Sequence, residues 1–134
     1  MNIADTLTLK KLQGVISIFS KIIIKYRDLL GGFSNKSQLL EVYGIDSSLY
    51  QKLSPYVYVG HKSLKKINLN YASVYQLKAH PYLDYKESNA IVKYRIQHGK
   101  FRSNSELMNL HLFDTLKYRK ILPYLHTNDS AVNR

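Results

Sequence analysis

The feature that most constrains the fold of this 134-residue chain is an internal repeat. Shifted against itself by 68 residues, the chain aligns residues 2–56 with residues 70–124 without a gap. Identical short peptides occupy equivalent places in the two copies, namely Lys25-Tyr26-Arg27 and Lys93-Tyr94-Arg95, and Pro55-Tyr56 and Pro123-Tyr124. Self-similarity at a fixed period is the signature of tandem structural units. The sequence therefore predicts two copies of one unit.

Start and stop signals in the second copy predict four short helices. The peptide Ser73–Gln76 is a capping box that opens the first helix, which ends near Pro81 because a residue before proline is pushed out of the helical region. The second helix runs over residues 86–98 and ends at Gly99, which suits a left-handed cap. A further capping box at Ser103–Glu106 opens the third of the four helices.

The first copy carries counterparts of these signals, at Gly31-Gly32, Asn35–Gln38, Asp46 and Pro55. We therefore expect an all-α fold in which both copies have the same helices. The predicted boundaries are residues 1–57 for the first unit, 58–69 for a basic connector, 70–126 for the second unit and 127–134 for a mobile polar tail.

The charge balance of the chain indicates which class of binding partner to consider. Twenty Lys and Arg against nine Asp and Glu give a net charge of +11. Such a balance makes a polyanion the first partner to consider, whether nucleic acid or an anionic membrane surface. The alternative is that the charge serves solubility alone.

The sequence lacks the residue patterns that several other classes of function require. The chain has no cysteine, and its five histidines show no metal-ligand spacing, so we expect no metal site and no cofactor. It has no Ser/His/Asp constellation, glycine-rich phosphate loop or carboxylate pair on one helix face, so we predict neither an enzyme nor a small-molecule substrate. The most apolar stretch, Val15–Ile24, is too short to span a bilayer, and no signal peptide is visible.

Four segments of the second copy carry a family resemblance, namely Ile67–Ser73, Leu77, Ala90–Arg95 and Gly99–Ser103. They closely resemble the competence DNA-receptor (ComEA-type) helix-hairpin-helix signature, with its I-N-x-N-x-A-S start, A-I-x-x-Y-R helix and G-x-F turn. The resemblance implies two tandem paired helix-hairpin-helix units with a SAM-domain-like, all-helical fold. It also implies non-enzymatic, sequence-independent binding of double-stranded DNA during uptake.

In this family, hairpins with a G-hydrophobic-G core present free N–H groups at a helix start to a phosphate. Carried over to this chain, the hairpins are Gly14-Val15-Ile16-Ser17, Gly44-Ile45-Asp46, Tyr82-Leu83-Asp84 and Leu112-Phe113-Asp114. The first two keep the leading glycine, and the last two keep none. Because an aspartate accepts from the same N–H groups that a phosphate needs, we interpret Asp46, Asp84 and Asp114 as helix caps.

The predicted phosphate-binding residues lie mainly in the first copy and the connector: Gly14, Val15, Ile16, Ser17, Lys10, Lys11, Lys21, Gly44, Lys65 and Lys66. The alternative is that Val15 and Ile16 pack in the core while the lysines form a solvated face. Arg27 and Arg95, beside the glycine turns, are expected to cap or pack rather than to touch phosphate.

Twelve tyrosines suggest base stacking, but several recur at equivalent positions in both copies, which is typical of packing. Tyr43, Tyr82 and Tyr85 lie at or near the hairpins and are the better candidates for contacts.

The rival hypothesis is a protein-interaction or scaffold module, or self-association, with degenerate hairpins that no longer bind DNA. The three hairpin aspartates favour it, whereas the net charge favours DNA. Because the repeat motif starts almost at residue 1, we expect the natural protein to carry more sequence before it. The resemblance implies an outward-facing, periplasmic location and a membrane anchor in the full-length protein.

Overall fold

A computed structural model describes residues 6–57, 59 and 64–127, without the side chains of residues 6–13, 15 and 16. The chain divides into two compact units. The first unit comprises Met1–Asp28 and Gly32–Ser63, and the second comprises Leu29–Gly31 and Leu64–Arg134. The second unit thus includes the last residues of the predicted connector.

The first unit begins with one long helix, α1 (Thr6–Leu30), whose last two residues belong to the second unit. The prediction of two helices joined by a hairpin at Gly14–Ser17 is therefore wrong. The repeat shows why: Gln13 stands where the second copy has Pro81, and Ile16 stands where it has Asp84. The first copy thus lacks both the proline that stops a helix and the aspartate that restarts one. Gly14 alone does not break α1, since a glycine inside a helix costs only about 1 kcal/mol relative to alanine.

After α1 the chain turns through Gly31 and Gly32, both with positive φ, of 93° and 113°. A 3₁₀ helix follows at Lys36–Glu41, where the Gln38 carboxamide oxygen accepts from the N–H groups of Ser34 and Asn35. The predicted capping box is therefore present, although the helix that it opens is 3₁₀.

Helix α2 (Ser47–Leu53) completes the first unit and continues into a 3₁₀ turn at Ser54–Tyr56. Val42, Ile45 and Leu53 form a buried cluster. Seven partly buried side chains pack against this cluster: Phe19, Ile23, Tyr26, Phe33, Leu49, Tyr50 and Val57. The unit is thus held by one face of α1 packed on α2 and the segment before it.

The second unit has the four short helices predicted from the sequence. They are α3 (Val74–Lys78), α4 (Tyr85–His98), a 3₁₀ helix (Asn104–Leu110) and α5 (Thr115–Ile121), which runs into a 3₁₀ turn at Leu122–Tyr124. Two short parallel strands, β1 (Ile67–Asn68) and β2 (Leu125–His126), pair the ends of the unit. The all-α fold is confirmed, with this small sheet as an addition.

Local signals explain most boundaries of the second unit. The Ser73 hydroxyl accepts from Gln76 N–H while the Gln76 carboxamide accepts from Ser73 N–H, which is the predicted capping box. Helix α4 ends at Gly99, with φ of 84°. The capping box predicted at Ser103–Glu106 forms only in part. The Ser103 hydroxyl bonds the Ser105 hydroxyl, and the Glu106 carboxylate accepts from the N–H of Arg102, one residue before the predicted cap.

The two motifs of the family signature are joined by Asn70. Its side-chain oxygen accepts from Phe101 N–H at 2.6 Å, and its amide nitrogen donates to Phe101 O at 3.1 Å. Arg95 donates to Leu69 O at 3.0 Å, and burial lowers the pKa of its guanidinium. Buried Asn70 therefore ties the start of the unit to its G-x-F turn, and Arg95 has the packing role that we expected. Arg27 is exposed and pairs with Asp28.

Candidate nucleic-acid interface

The hairpins of the described chain all end in an aspartate that caps the next helix. Asp46 accepts from Leu49 N–H at 2.8 Å, Asp84 from Glu87 N–H at 2.7 Å and Asp114 from Lys117 N–H at 2.8 Å. This confirms the interpretation of these aspartates as caps. The N–H groups that would hold a phosphate in the family mechanism are thus partly occupied from within the chain.

The first predicted site lies on continuous helix, so its residues do not form a phosphate-binding turn. Gly14, Ser17 and Lys21 are exposed, and at spacings of three and four residues they share one face of α1. The side chains of the other four predicted residues lie outside the described part of the structure: Lys10, Lys11, Val15 and Ile16. What remains of this site is a helix face that carries Lys21.

Gly44 lies in the one hairpin that the first unit shows in its described residues. Its φ is 89°, and a Cβ at this position would lie 2.9 Å from the Phe19 ring. The glycine therefore serves a tight turn beside the core, and it is exposed on its outer side.

Lys65 and Lys66 are exposed in the second unit. Lys65 N–H donates to Gly31 O at 2.8 Å, and both lysines line a cavity of about 480 Å³ with Leu30, Ile67 and Gln76 among its other walls. The structure thus places these lysines on the wall of a cavity in the second unit, together with Ala79, which directly follows α3.

A pair of lysines that we did not predict from the sequence lies at the hairpin between α3 and α4, residues 79–84. Lys86 lies in the first turn of α4, and its positive charge contributes to the lowered pKa of Asp84. Lys120, on α5, places its ammonium 4.6 Å from the centroid of the Tyr82 ring, within this hairpin. We call Lys86 and Lys120 the hairpin lysines; both are exposed.

The pKa of Asp84 is lowered mainly by the hydrogen bond from Glu87 N–H, and desolvation opposes this effect. The Glu87 side chain, Lys117 and Lys86 lower the pKa further. The backbone hydrogen bond is thus the main cause of the lowered pKa, and the positive charges of Lys117 and Lys86 add to it. A signal for this was present in the sequence, since lysines follow Asp84 and Asp114 within two or three positions.

Tyrosines at the hairpins differ in their exposure. Tyr82 is half-buried, with ring contacts to His80 at 5.2 Å and Tyr124 at 6.1 Å. Tyr43 is 89% exposed and Tyr85 63% exposed. Of the repeated tyrosines, Tyr94 stacks on Phe101, which agrees with packing. Tyr82 is therefore engaged in the core, whereas the rings of Tyr43 and Tyr85 lie mostly in solvent.

Within the described residues, no three or more His, Asp or Glu side chains are arranged to hold a metal ion. The same part of the chain has no helix long and apolar enough to cross a membrane.

Helices joined by short aspartate-capped hairpins, one in the described part of the first unit and two in the second, are typical of a protein of the helix-hairpin-helix, nucleic-acid-binding type. The family model described as the helix-hairpin-helix motif matches residues 1–58 and 62–126, so the chain belongs to this family.

Two curated relatives are similar to the chain over nearly all of its length. The Mus musculus "Endonuclease/exonuclease/phosphatase family domain-containing protein 1" is 26% identical over 167 aligned positions, covering 96% of this chain and 29% of that protein. The Danio rerio protein of the same name is 26% identical over 156 positions, covering 99% and 28%. The chain thus spans less than a third of the length of these relatives. No solved structure matches it.

Proposed function

We propose that this chain is a non-enzymatic module that binds double-stranded DNA through the phosphate backbone, without sequence specificity. The observation that carries the proposal is the pair of hairpin lysines beside the capped hairpin at residues 79–84. A lysine ammonium is a mobile point charge that can reach a phosphate which the capped N–H groups no longer hold. Contacts of this kind read no bases.

The aspartate caps define how this mechanism differs from the one that the family resemblance implies. In a glycine hairpin, backbone N–H groups and the helix dipole attract the phosphate. Here the carboxylate of Asp84 takes that place, and lysine side chains supply the positive charge around it. Binding would accordingly depend on side-chain charge more than on backbone geometry.

Three exposed lysines predicted from the sequence would make further contacts with phosphates. Lys21, Lys65 and Lys66 are all exposed and add positive charge to the two units. A role in DNA uptake, with an outward-facing membrane anchor, is what the likeness to competence receptors suggests, and it stays a prediction. The relatives named above suggest another setting, in which such a module accompanies an endonuclease/exonuclease/phosphatase family domain.

The experiment measures the affinity for a fluorescent duplex of random sequence. It compares a variant with charge reversals at the hairpin with a variant whose charge reversals lie away from it. The test variant is Lys86→Glu/Lys120→Glu. The control is Lys93→Glu/Arg102→Glu, which changes the charge equally on residues farther along α4 and beyond its end. We expect the test variant to lose about a hundredfold in affinity and the control less than about fivefold, at about 1–2 kcal/mol for each close contact. Equal losses would overturn the assignment to the hairpin lysines.

A second candidate function is supported by the first unit. Ile18 is 70% exposed and Ile22 is also exposed, one turn apart on α1. Such an apolar pair suits contact with a second copy of the chain. Sedimentation velocity tests this directly: a dimer that is lost in Ile18→Ser/Ile22→Ser would favour the interaction module, and a monomer at all concentrations would exclude self-association.

A further inference from the structure

We propose that the second unit recognises DNA that carries unpaired bases beside a duplex, by stacking those bases on Tyr75 and Tyr85. The inference rests on the proposed function, because the hairpin lysines would hold the adjoining duplex. It adds a ligand class, a duplex with a single-stranded extension, that backbone binding alone would not distinguish from a blunt duplex.

Two exposed rings flank the hairpin at residues 79–84. Tyr75, on α3, is 77% exposed, and Tyr85, the first residue of α4, is 63% exposed. The ammonium of Lys78 lies 5.2 Å from the centroid of the Tyr75 ring and 5.9 Å from that of the Tyr85 ring. One positive charge is therefore shared by two aromatic faces at the surface.

This arrangement suits an unpaired nucleotide. A base can stack on an exposed ring, and base stacking on aromatic side chains tolerates any sequence. The phosphate of the same nucleotide can meet the ammonium of Lys78, which the rings hold nearby by cation–π attraction. Inside a duplex the faces of the bases are already stacked on each other, so the rings would add affinity only where the strand is unpaired.

The fold of the second unit leaves these two rings mostly unburied, and the repeat does not preserve them. Tyr75 corresponds to Leu7 in the first copy, and Tyr85 corresponds to Ser17, whereas Lys78 corresponds to Lys10. Packing explains the tyrosines that recur in both copies, such as Tyr94, which stacks on Phe101 at a centroid distance of 5.0 Å. It does not explain two rings that remain mostly in solvent.

Tyr85 also stands next to the hairpin lysine Lys86 in the first turn of α4. The stacking ring and the hairpin lysine therefore lie within one helical turn of each other. The side chain of Asp84, whose charge opposes a phosphate, already accepts from Glu87 N–H and has lysine charge around it.

The test measures binding to two fluorescent DNAs with the same duplex, one blunt and one with a single-stranded extension of about six nucleotides that contains 2-aminopurine. We expect the wild type to bind the extended DNA about tenfold more tightly, with quenching of 2-aminopurine by stacking. Tyr75→Ala/Tyr85→Ala should lose that preference and the quenching while binding the blunt duplex as before. Tyr75→Phe/Tyr85→Phe should keep both, and Tyr43→Ala, a change to an exposed ring of the first unit, should change neither.

The outcomes separate this inference from the proposed function. Equal affinity of the wild type for the two DNAs, or an equal loss on both in Tyr75→Ala/Tyr85→Ala, would overturn the stacking site and leave duplex binding intact. Binding of the extended DNA without binding of the blunt duplex would support the stacking site and contradict the proposed function. Binding of neither DNA at low salt would overturn both.

Discussion

Lys117, in the first turn of α5, forms an ion pair with Glu87, in the first turn of α4. The same Glu87 side chain uses its other oxygen to accept from Asp84 N–H at 2.9 Å. It is buried, whereas the Lys117 side chain remains partly exposed. One carboxylate thus completes the capping box of α4 and joins the two hairpins of the second unit, at residues 79–84 and 111–114.

Replacing Glu87 by Gln tests this link. The carboxamide oxygen can still accept from Asp84 N–H, so the capping box remains, but the charge that pairs with Lys117 is removed. We expect a loss of about 1–2 kcal/mol in the free energy of unfolding, less than for a fully buried pair because Lys117 is partly in solvent. Urea denaturation of Glu87→Gln beside the wild type measures this loss. A change near zero would show that the ion pair does not hold the hairpins together.

Two glycines of the first unit, one in helix α1 and one in the hairpin packed on it, should respond in opposite ways to replacement by alanine. Gly14 lies inside the helix, and a Cβ added there would meet nothing within 4 Å, so Gly14→Ala should raise the free energy of unfolding by about 1 kcal/mol. Gly44 has positive φ and the Phe19 ring 2.9 Å from the added Cβ, so Gly44→Ala should lower it. Thermal denaturation of the two variants measures whether the free energy of unfolding rises in the first and falls in the second. Destabilisation by Gly14→Ala would instead support the hairpin at residues 14–17.

The lowered pKa of Asp84 predicts how stability varies with pH. Because the folded pKa lies below the ordinary value of 3.8, the ionised cap contributes stability that is fully present above that value. This contribution is lost as the pH falls from there through the folded pKa. The difference in stability between the wild type and Asp84→Ala, measured in urea, should therefore be constant near neutral pH and shrink below about pH 4. A difference that grew in acid would contradict the assignment.

The caps also predict a gain in DNA affinity. Asn replaces Asp well as an N-cap, so Asp84→Asn/Asp114→Asn should keep both helix starts while removing two negative charges from the hairpins. Affinity for a random duplex should rise about three- to tenfold at low salt, and the gain should shrink as salt is added. Fluorescence anisotropy measures both. If affinity falls while the fold is intact by circular dichroism, the aspartates do not oppose DNA.

Most of the second unit could be predicted from its sequence because each helix has a local signal. Ser73, Pro81 and Asp84 set the starts and stops that the structure shows. The first unit could not be predicted by copying the second. The decisive residues there are Gln13 and Ile16, which replace a stop and a start, and the repeat alignment across them is otherwise continuous.

The candidate site was harder to predict for a different reason. The aspartate caps follow from local chemistry and were predicted, but the hairpin lysines depend on tertiary placement. Lys120 lies 38 residues after Tyr82 in the chain, and only the packing of α5 brings its ammonium to that ring. The ion pair between Glu87 and Lys117 is likewise invisible until the two hairpins are packed together.

The central claim, that lysine side chains at the hairpin contact phosphates, is tested most directly by the salt dependence of duplex binding. The slope of the logarithm of the binding constant against the logarithm of salt concentration counts the phosphates that are neutralised, at about 0.9 for each. We predict a steep negative slope for the wild type and a slope shallower by about two in Lys86→Ala/Lys120→Ala. An unchanged slope in that variant, or no binding of the wild type at low salt, would contradict the account.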